Sequence, residues 1–157
     1  MKIGGNPPVR IDFLPFQLSV LSDLINELAD PIHKKILAVS VRELRVLRLI
    51  HAEPGINSSS VLLKCALEKT TLSKLIGKLV KRGYVSRTIN AYDARYMNLC
   101  LTSAGVDVVV RADKFSAKWV ENFLCVLNKE EIALLEVCLN KLQTHALNAK
   151  QLESAQQ

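Results

Sequence analysis

Between Lys69 and Leu101 the apolar residues change period once, and that change restricts the fold more than any other feature of the chain. Leu72, Leu75, Ile76 and Leu79 recur at helical spacing and leave Thr70, Thr71, Ser73, Lys74, Lys78 and Lys81 on the outer faces of a helix over about 69–82. Gly83 supplies a helix stop, after which the period falls to two: Val85, Arg87 and Ile89, then a loop from Asn90 to Ala94, then Met97, Leu99 and Leu101. A helix that stops at a glycine and continues as two short strands predicts a hairpin with one face held against helices. A one-residue slip would turn that whole face to solvent, so its register is fixed.

The elements upstream complete a recognisable module. Ser40-Val41-Arg42-Glu43 has the form of a capping box and opens a short helix carrying Leu44, Leu47 and Ile50, which Pro54-Gly55 stops. Asn57 is a suitable N-cap for the next helix, Ser58 to Cys65, with Val61 and Leu62 turned inward. Helix, turn, helix and basic hairpin together make a winged helix over residues 40–102. On either side lie longer helical patterns. Leu14, Leu18, Leu21, Ile25, Leu28 and Ile32 alternate steps of four and three in residues 1–39, with Pro31 expected to bend or end that helix. Thr102 can cap a helix from Ser103 to about Leu127, and a last helix runs from about Lys129 to Ala149; both belong to segment 103–157. The expected class is mainly α with a minor β component. The flanking helices are apolar on more faces than a head of about 60 residues could cover, so a homodimer that buries them is expected.

Charge points to the partner. Lys64 to Arg95 holds eight basic residues against two acidic ones, while the whole chain holds 21 and 15. The entire surplus of +6 therefore sits between Lys64, at the end of the Ser58–Cys65 helix, and Arg95, over the helix at about 69–82 and its hairpin. That is the electrostatic footprint of a polyphosphate. Short hydroxyls at the helix start suit base edges in a major groove, and the long cations farther along suit phosphates. Gly77 inside this helix costs about 1 kcal/mol relative to alanine and leaves room for a close backbone approach.

Other classes find little support. The four cysteines at 65, 100, 125 and 138 form no Cys-x-x-Cys pair, and the three histidines are scattered, so neither structural zinc nor a metal sensor is expected. No cofactor is implied. There is no Gly-rich phosphate loop, paired carboxylate or nucleophile beside a histidine, so the chain does not read as an enzyme. The start of the chain lacks a secretory apolar region and no run reaches bilayer length, which places the expected protein in the cytoplasm, away from membranes, with reduced thiols.

From Val41 to Val106 the sequence resembles the MarR family of winged-helix transcription regulators. The resemblance is carried by Arg45-Val46-Leu47, Pro54-Gly55-Ile56, Glu68 to Leu75, Leu79 to Val85, Asp93-Ala94-Arg95 and Leu101 to Gly105. It implies a homodimer whose long flanking helices form an intertwined dimerisation region and which sets two recognition helices into successive major grooves of a pseudopalindromic duplex operator. Lys69, Thr70, Thr71, Ser73 and Lys74 would then contact bases and phosphates, with Ser58 and Ser59 supporting phosphate contacts and Lys78 and Arg87 adding charge. Asp93 would hold Arg95, which would enter the minor groove. Ala66 stands where members often carry glycine and requires a turn without positive φ, and Cys65, where leucine is usual, reads as a small core residue. Lysines at 69 and 74 replace common arginines and give up the bidentate fork.

The resemblance also implies a regulator, most often a repressor, released by a small aromatic or anionic effector. Phe16, His33, Arg45, His51 and Trp119 are the candidate ligand residues. No cysteine precedes residue 65, which disfavours a thiol sensor in the first helix, and Cys100, Cys125 and Cys138 are expected to be buried and inert. The alternative is a winged-helix protein-interaction module that docks an acidic partner. A purely electrostatic dock has no use for Thr70, Thr71 and Ser73.

Overall fold

The computed structural model describes residues 13–89 and 97–155, with side chains described to Glu153. The sequence-predicted wing-loop residues Asp93 and Arg95 lie outside the described residues. The chain divides into two units, residues 1–41 and 42–157.

In the first unit, helix α1 spans Leu14–Leu37 and Pro31 does not end it. Proline forfeits one backbone N–H and crowds the turn before it, but its own φ is helical, and the apolar spacing carries on through Ile36. Helix α1 stops instead at Ala38, whose φ of 56° is left-handed and whose N–H donates to the Lys34 carbonyl at 3.1 Å. Lys34 and Lys35 in the last turn complement the negative end of the helix. Asp30 accepts the Val41 N–H at 2.8 Å and pairs with Lys34 at 2.5 Å, so one carboxylate ties both ends of the turn that follows. Ala29, His33, Leu37 and Val39 are buried, whereas Leu14, Leu18, Leu21, Leu24, Leu28, Ile32 and Ile36 are exposed.

The second unit contains helices α2 (Val41–Ala52, whose first residue belongs to the first unit), α3 (Ser58–Cys65), α4 (Lys69–Lys81), α5 (Ser103–Leu124) and α6 (Lys129–Ala155). Three strands, β1 (Ile56–Asn57), β2 (Val85–Ile89) and β3 (Met97–Leu101), form an antiparallel sheet in the order β1-β3-β2. Strand β1 is too short to show a period and was not expected from the sequence. It exists because Gly55, at φ 86°, turns the chain so that its N–H reaches the Leu99 carbonyl at 2.9 Å and Ile56 falls opposite Leu99. Leu44, Leu47, Ile50, Val61, Leu72, Ile76, Leu79, Val85 and Leu99 are all buried. Each such side chain contributes about 1.5–3 kcal/mol through lost apolar exposure.

The hairpin follows the expected register, with Val85 opposite Leu101, Arg87 opposite Leu99 and Ile89 opposite Met97. Among its described residues burial is confined to the base. Val85 and Leu99 are enclosed, but Ile89 and Met97 are exposed, so the alternation marks the sheet face without marking where the helices beneath it end. At the end of α4 the Gly83 N–H donates to Val80 and the Tyr84 N–H to Leu79, a Schellman closure that needs the left-handed glycine at φ 72°.

The turn before α4 corrects one expectation. Ala66 adopts φ 50°, ψ 42°, the left-handed conformation that the sequence reading required it to avoid. Its N–H is held by the Leu63 carbonyl at 3.3 Å, and the cost of placing a Cβ there, about 1–2 kcal/mol, is borne by the fold. Cys65 is buried as expected; burial pushes its thiol up, against the opposing pull of the Arg45 charge. The other cysteines depart from expectation in the single chain. Cys100 on β3 is half-buried, and Cys125, just past α5, and Cys138, within α6, are exposed.

Candidate nucleic-acid interface

The Asn57 side chain caps α3 by accepting the Ser60 N–H at 2.9 Å, which places Ser58 and Ser59 on an exposed first turn. Helix α4 starts at Lys69 without an acidic residue in its first turn, so its free N–H groups and positive dipole end are not neutralised there. Burial of Leu72, Ile76 and Leu79 fixes the rotation of α4 and leaves Lys69, Thr70, Ser73, Lys74, Gly77, Lys78 and Lys81 exposed. Thr71 is half-buried at the margin.

Five of the sequence-predicted DNA-contact residues meet around one hollow. Ser58 and Ser59 of α3, Lys69 and Ser73 of α4 and Arg87 of β2 line a cavity of about 210 Å³ floored by Leu62, Leu72 and Ile76. Sequence reading put these residues in one module. What it could not show is that Arg87 leaves the sheet toward the first turns of both helices, beside Lys69. The arrangement presents hydroxyl donors and two cations over an apolar floor, a surface suited to phosphate and base edges and carrying no carboxylate of its own.

The basic surplus is trimmed by acids from outside the basic stretch, which sequence reasoning missed. Glu53 pairs with Lys64 at 2.5 Å. Glu43, only 2% exposed, has Oε1 2.8 Å from Lys78 Nζ and 3.7 Å from Arg82. Arg82 is further occupied by Tyr84, with its guanidinium 4.7 Å from the ring centre and Nη2 donating to the phenol oxygen at 3.2 Å. The three ion pairs span 11, 35 and 39 positions in sequence, beyond any local pattern. Among the described residues, Lys69, Lys74 and Lys81 of α4 and Arg87 of β2 are exposed and lie in no ion pair with a carboxylate.

The sequence-predicted ligand residues are placed less coherently. Phe16 is exposed and stacks on Phe13, with ring centres 6.4 Å apart, while His33 lies 17 residues farther along α1, about 25 Å away at helical rise. His33 is buried, with Nδ1 2.8 Å from the Ala29 carbonyl, which can only accept; that ring nitrogen therefore carries the proton. Arg45 and His51 are exposed on α2. Trp119 stacks on Phe123 within α5 at 5.2 Å. On the same helix Asp113 and Ser116 receive Arg48 of α2. Its Nε and Nη2 donate to Asp113 Oδ1 at 2.9 and 2.7 Å, and Nη2 to Ser116 Oγ at 3.2 Å.

Among the described residues no group of three metal-ligating side chains occurs, and no helix is long and apolar enough to cross a membrane.

The family model described as the MarR family matches residues 39–95, which include α2, α3, α4 and β2. The HTH-type transcriptional regulator SarZ of Staphylococcus saprophyticus is 33% identical over 100 residues, covering 64% of this chain and 68% of SarZ. Among solved structures, a MarR protein from Peptoclostridium difficile aligns with TM-score 0.77 at 24% identity, over 92% of this chain and 97% of that one. A Staphylococcus aureus MepR–DNA complex aligns at 0.70 and 17% identity, over 85% and 96% of the two chains. Streptomyces coelicolor PcaV in complex with its natural ligand aligns at 0.71 and 21%, over 90% and 99%. At these identities the structures establish the fold, while the SarZ match and the family model establish kinship. A winged helix with a hydroxyl-and-lysine recognition helix, sharing this sequence and this fold, is a DNA-binding transcriptional regulator and no enzyme: the chain belongs to the MarR family.

Proposed function

We propose that the protein is a homodimeric, sequence-specific repressor acting in the cytoplasm on a pseudopalindromic operator. The observation that carries this reading is the cavity in which Ser58, Ser59, Lys69, Ser73 and Arg87 converge, beside the exposed Thr70 and Lys74. Base contacts come from Thr70, Thr71 and Ser73, and phosphate contacts from Lys69, Lys74, Arg87, Ser58 and Ser59. Arg95, held by Asp93, reads the minor groove. Pairing of two chains is supported by the exposed apolar residues of α1 and, separately, of α6, where Leu134, Leu135, Val137, Leu139 and Leu142 are all exposed. A MepR homologue crystallised on DNA and PcaV with its natural ligand support the operator and the effector respectively. The effector is a small aromatic or anionic molecule for which Arg45, His51, His33, Phe16 and Trp119 are the residues to test.

The test is a gel shift against duplex from upstream of its own coding sequence at low and moderate salt. Displaced counterions drive phosphate binding, so affinity should fall steeply as salt rises, and Lys74→Ala with Arg95→Ala should weaken it further. Binding indifferent to salt and to both substitutions would remove the proposal. Adding simple aromatic carboxylates to the preformed complex tests release.

A further inference from the structure

The basic stretch from Lys64 to Arg95 is countered at Lys78 by a carboxylate that has no access to water. Glu43 lies on α2, is 2% exposed and places Oε1 2.8 Å from Lys78 Nζ, while the Lys78 side chain is itself 60% exposed. Lysine on an exposed helix face ordinarily sweeps its ammonium through solvent and pairs weakly. Here the partner is buried, and a carboxylate removed from water is costly unless a cation stays with it. Arg82 stands farther off, at 3.7 Å, and is stacked on Tyr84. The lysine is therefore held against a buried carboxylate, with Arg82 beside it. Unlike the pair of Lys64 with Glu53, in which both side chains are exposed, this contact joins an exposed ammonium to a buried carboxylate.

We infer that Glu43 is a positioning residue that withdraws Lys78 from the DNA-facing charge of α4, limiting sequence-independent attraction to phosphate. Lys74, one turn earlier on α4, has no such carboxylate and remains a phosphate ligand. The consequence is discrimination: an ammonium free to reach any phosphate strengthens operator and random duplex alike, whereas one fixed on Glu43 strengthens neither. This rests on the DNA-binding reading above and names a residue that tunes it.

The experiment measures the affinity of the full-length protein for operator and for random duplex across a salt series. Glu43→Gln preserves shape and removes the charge that holds Lys78. The expected result is a several-fold gain for random duplex, a smaller operator-to-random ratio, and a log affinity against log salt slope steeper by about 0.9 per reading head, the value for one added phosphate contact. Glu43→Gln with Lys78→Met should return the slope to that of the parent. A merely structural role for Glu43 would weaken binding without steepening the slope, and that outcome overturns the inference. Should Glu43→Gln fail to fold, Lys78→Met alone decides: an unchanged slope supports the inference, and a slope shallower by about 0.9 overturns it. Failure of the DNA-binding reading itself looks different, since the parent protein would then show no salt-dependent binding to any duplex.

Discussion

Gly105 has no space for a methyl group, because a Cβ at that position would lie 2.1 Å from the carbonyl oxygen of Tyr84. The same carbonyl accepts the Thr102 N–H at 3.0 Å, and Thr102 Oγ1 accepts the Gly105 N–H at 3.1 Å while donating to the Gly83 carbonyl at 2.6 Å. The end of α4, the end of β3 and the start of α5 are thus joined at backbone contact distance. Gly105→Ala is expected to force them apart at a cost of about 1–3 kcal/mol. Urea unfolding at fixed protein concentration would read this as a lower midpoint, and an unchanged midpoint would show that the junction yields freely.

Ala66 offers the opposite change. Its φ of 50° strains an L-residue by about 1–2 kcal/mol, and glycine removes that strain while adding about 0.5–1 kcal/mol of unfolded-chain entropy. Ala66→Gly is expected to stabilise the protein by about 0.5–1 kcal/mol. A drop in melting temperature would contradict the left-handed turn.

Gly77 is exposed inside α4, and a Cβ there meets nothing within 4 Å. Gly77→Ala should raise stability by about 1 kcal/mol through helix propensity alone. Measuring operator affinity on the same variant separates folding from binding. Weaker binding by a more stable protein would mean that the bare backbone on this outer face is occupied by DNA.

Asp30 gives a pH signature. Partial burial pushes its carboxyl up, but the hydrogen bond from Lys34, the Val41 N–H and the charges of Lys34 and His33 outweigh it and hold the group below its ordinary 3.8. A depressed carboxylate stabilises the fold fully above the unfolded value and loses that contribution as pH falls through the folded value. Asp30→Asn should therefore be less stable than the parent near neutrality, with the gap closing as pH drops below about 3.8. A gap that persists unchanged in acid would assign the loss to packing.

Local chemistry made much of this readable in the sequence. Helix α3 spans the predicted residues because Asn57 caps one end, and α4 begins at the predicted residue and ends one earlier because the glycine at 83 closes it one position on. Thr102 caps α5 as expected because its hydroxyl needs only a neighbour three residues away. The failures share a different cause. Whether a helix survives Pro31, whether Ala66 turns left-handed, and whether two residues at Ile56 pair with Leu99 all depend on what lies across space. Glu43 and Lys78 show this most plainly. Each has an obvious local reading, as a capping residue and as a surface cation, and neither reading contains the other residue. At the candidate interface the residue types were legible and their convergence was not. Arg87 joins Ser58 and Lys69 only through the twist and register of the hairpin.

Strand β3 ends at Leu101 and helix α5 begins at Ser103, so Thr102 alone separates them. No loop is present there to absorb motion, and the threonine is fixed from both sides. Helix α5, with 22 residues, is a lever about 33 Å long, and displacing its far end by about 3 Å turns the near end by about 5°. A rotation of that size would reach β3, and the hairpin built on it, through Thr102 alone. A displacement at the Leu124 end of α5 is thereby geared to the base of the hairpin.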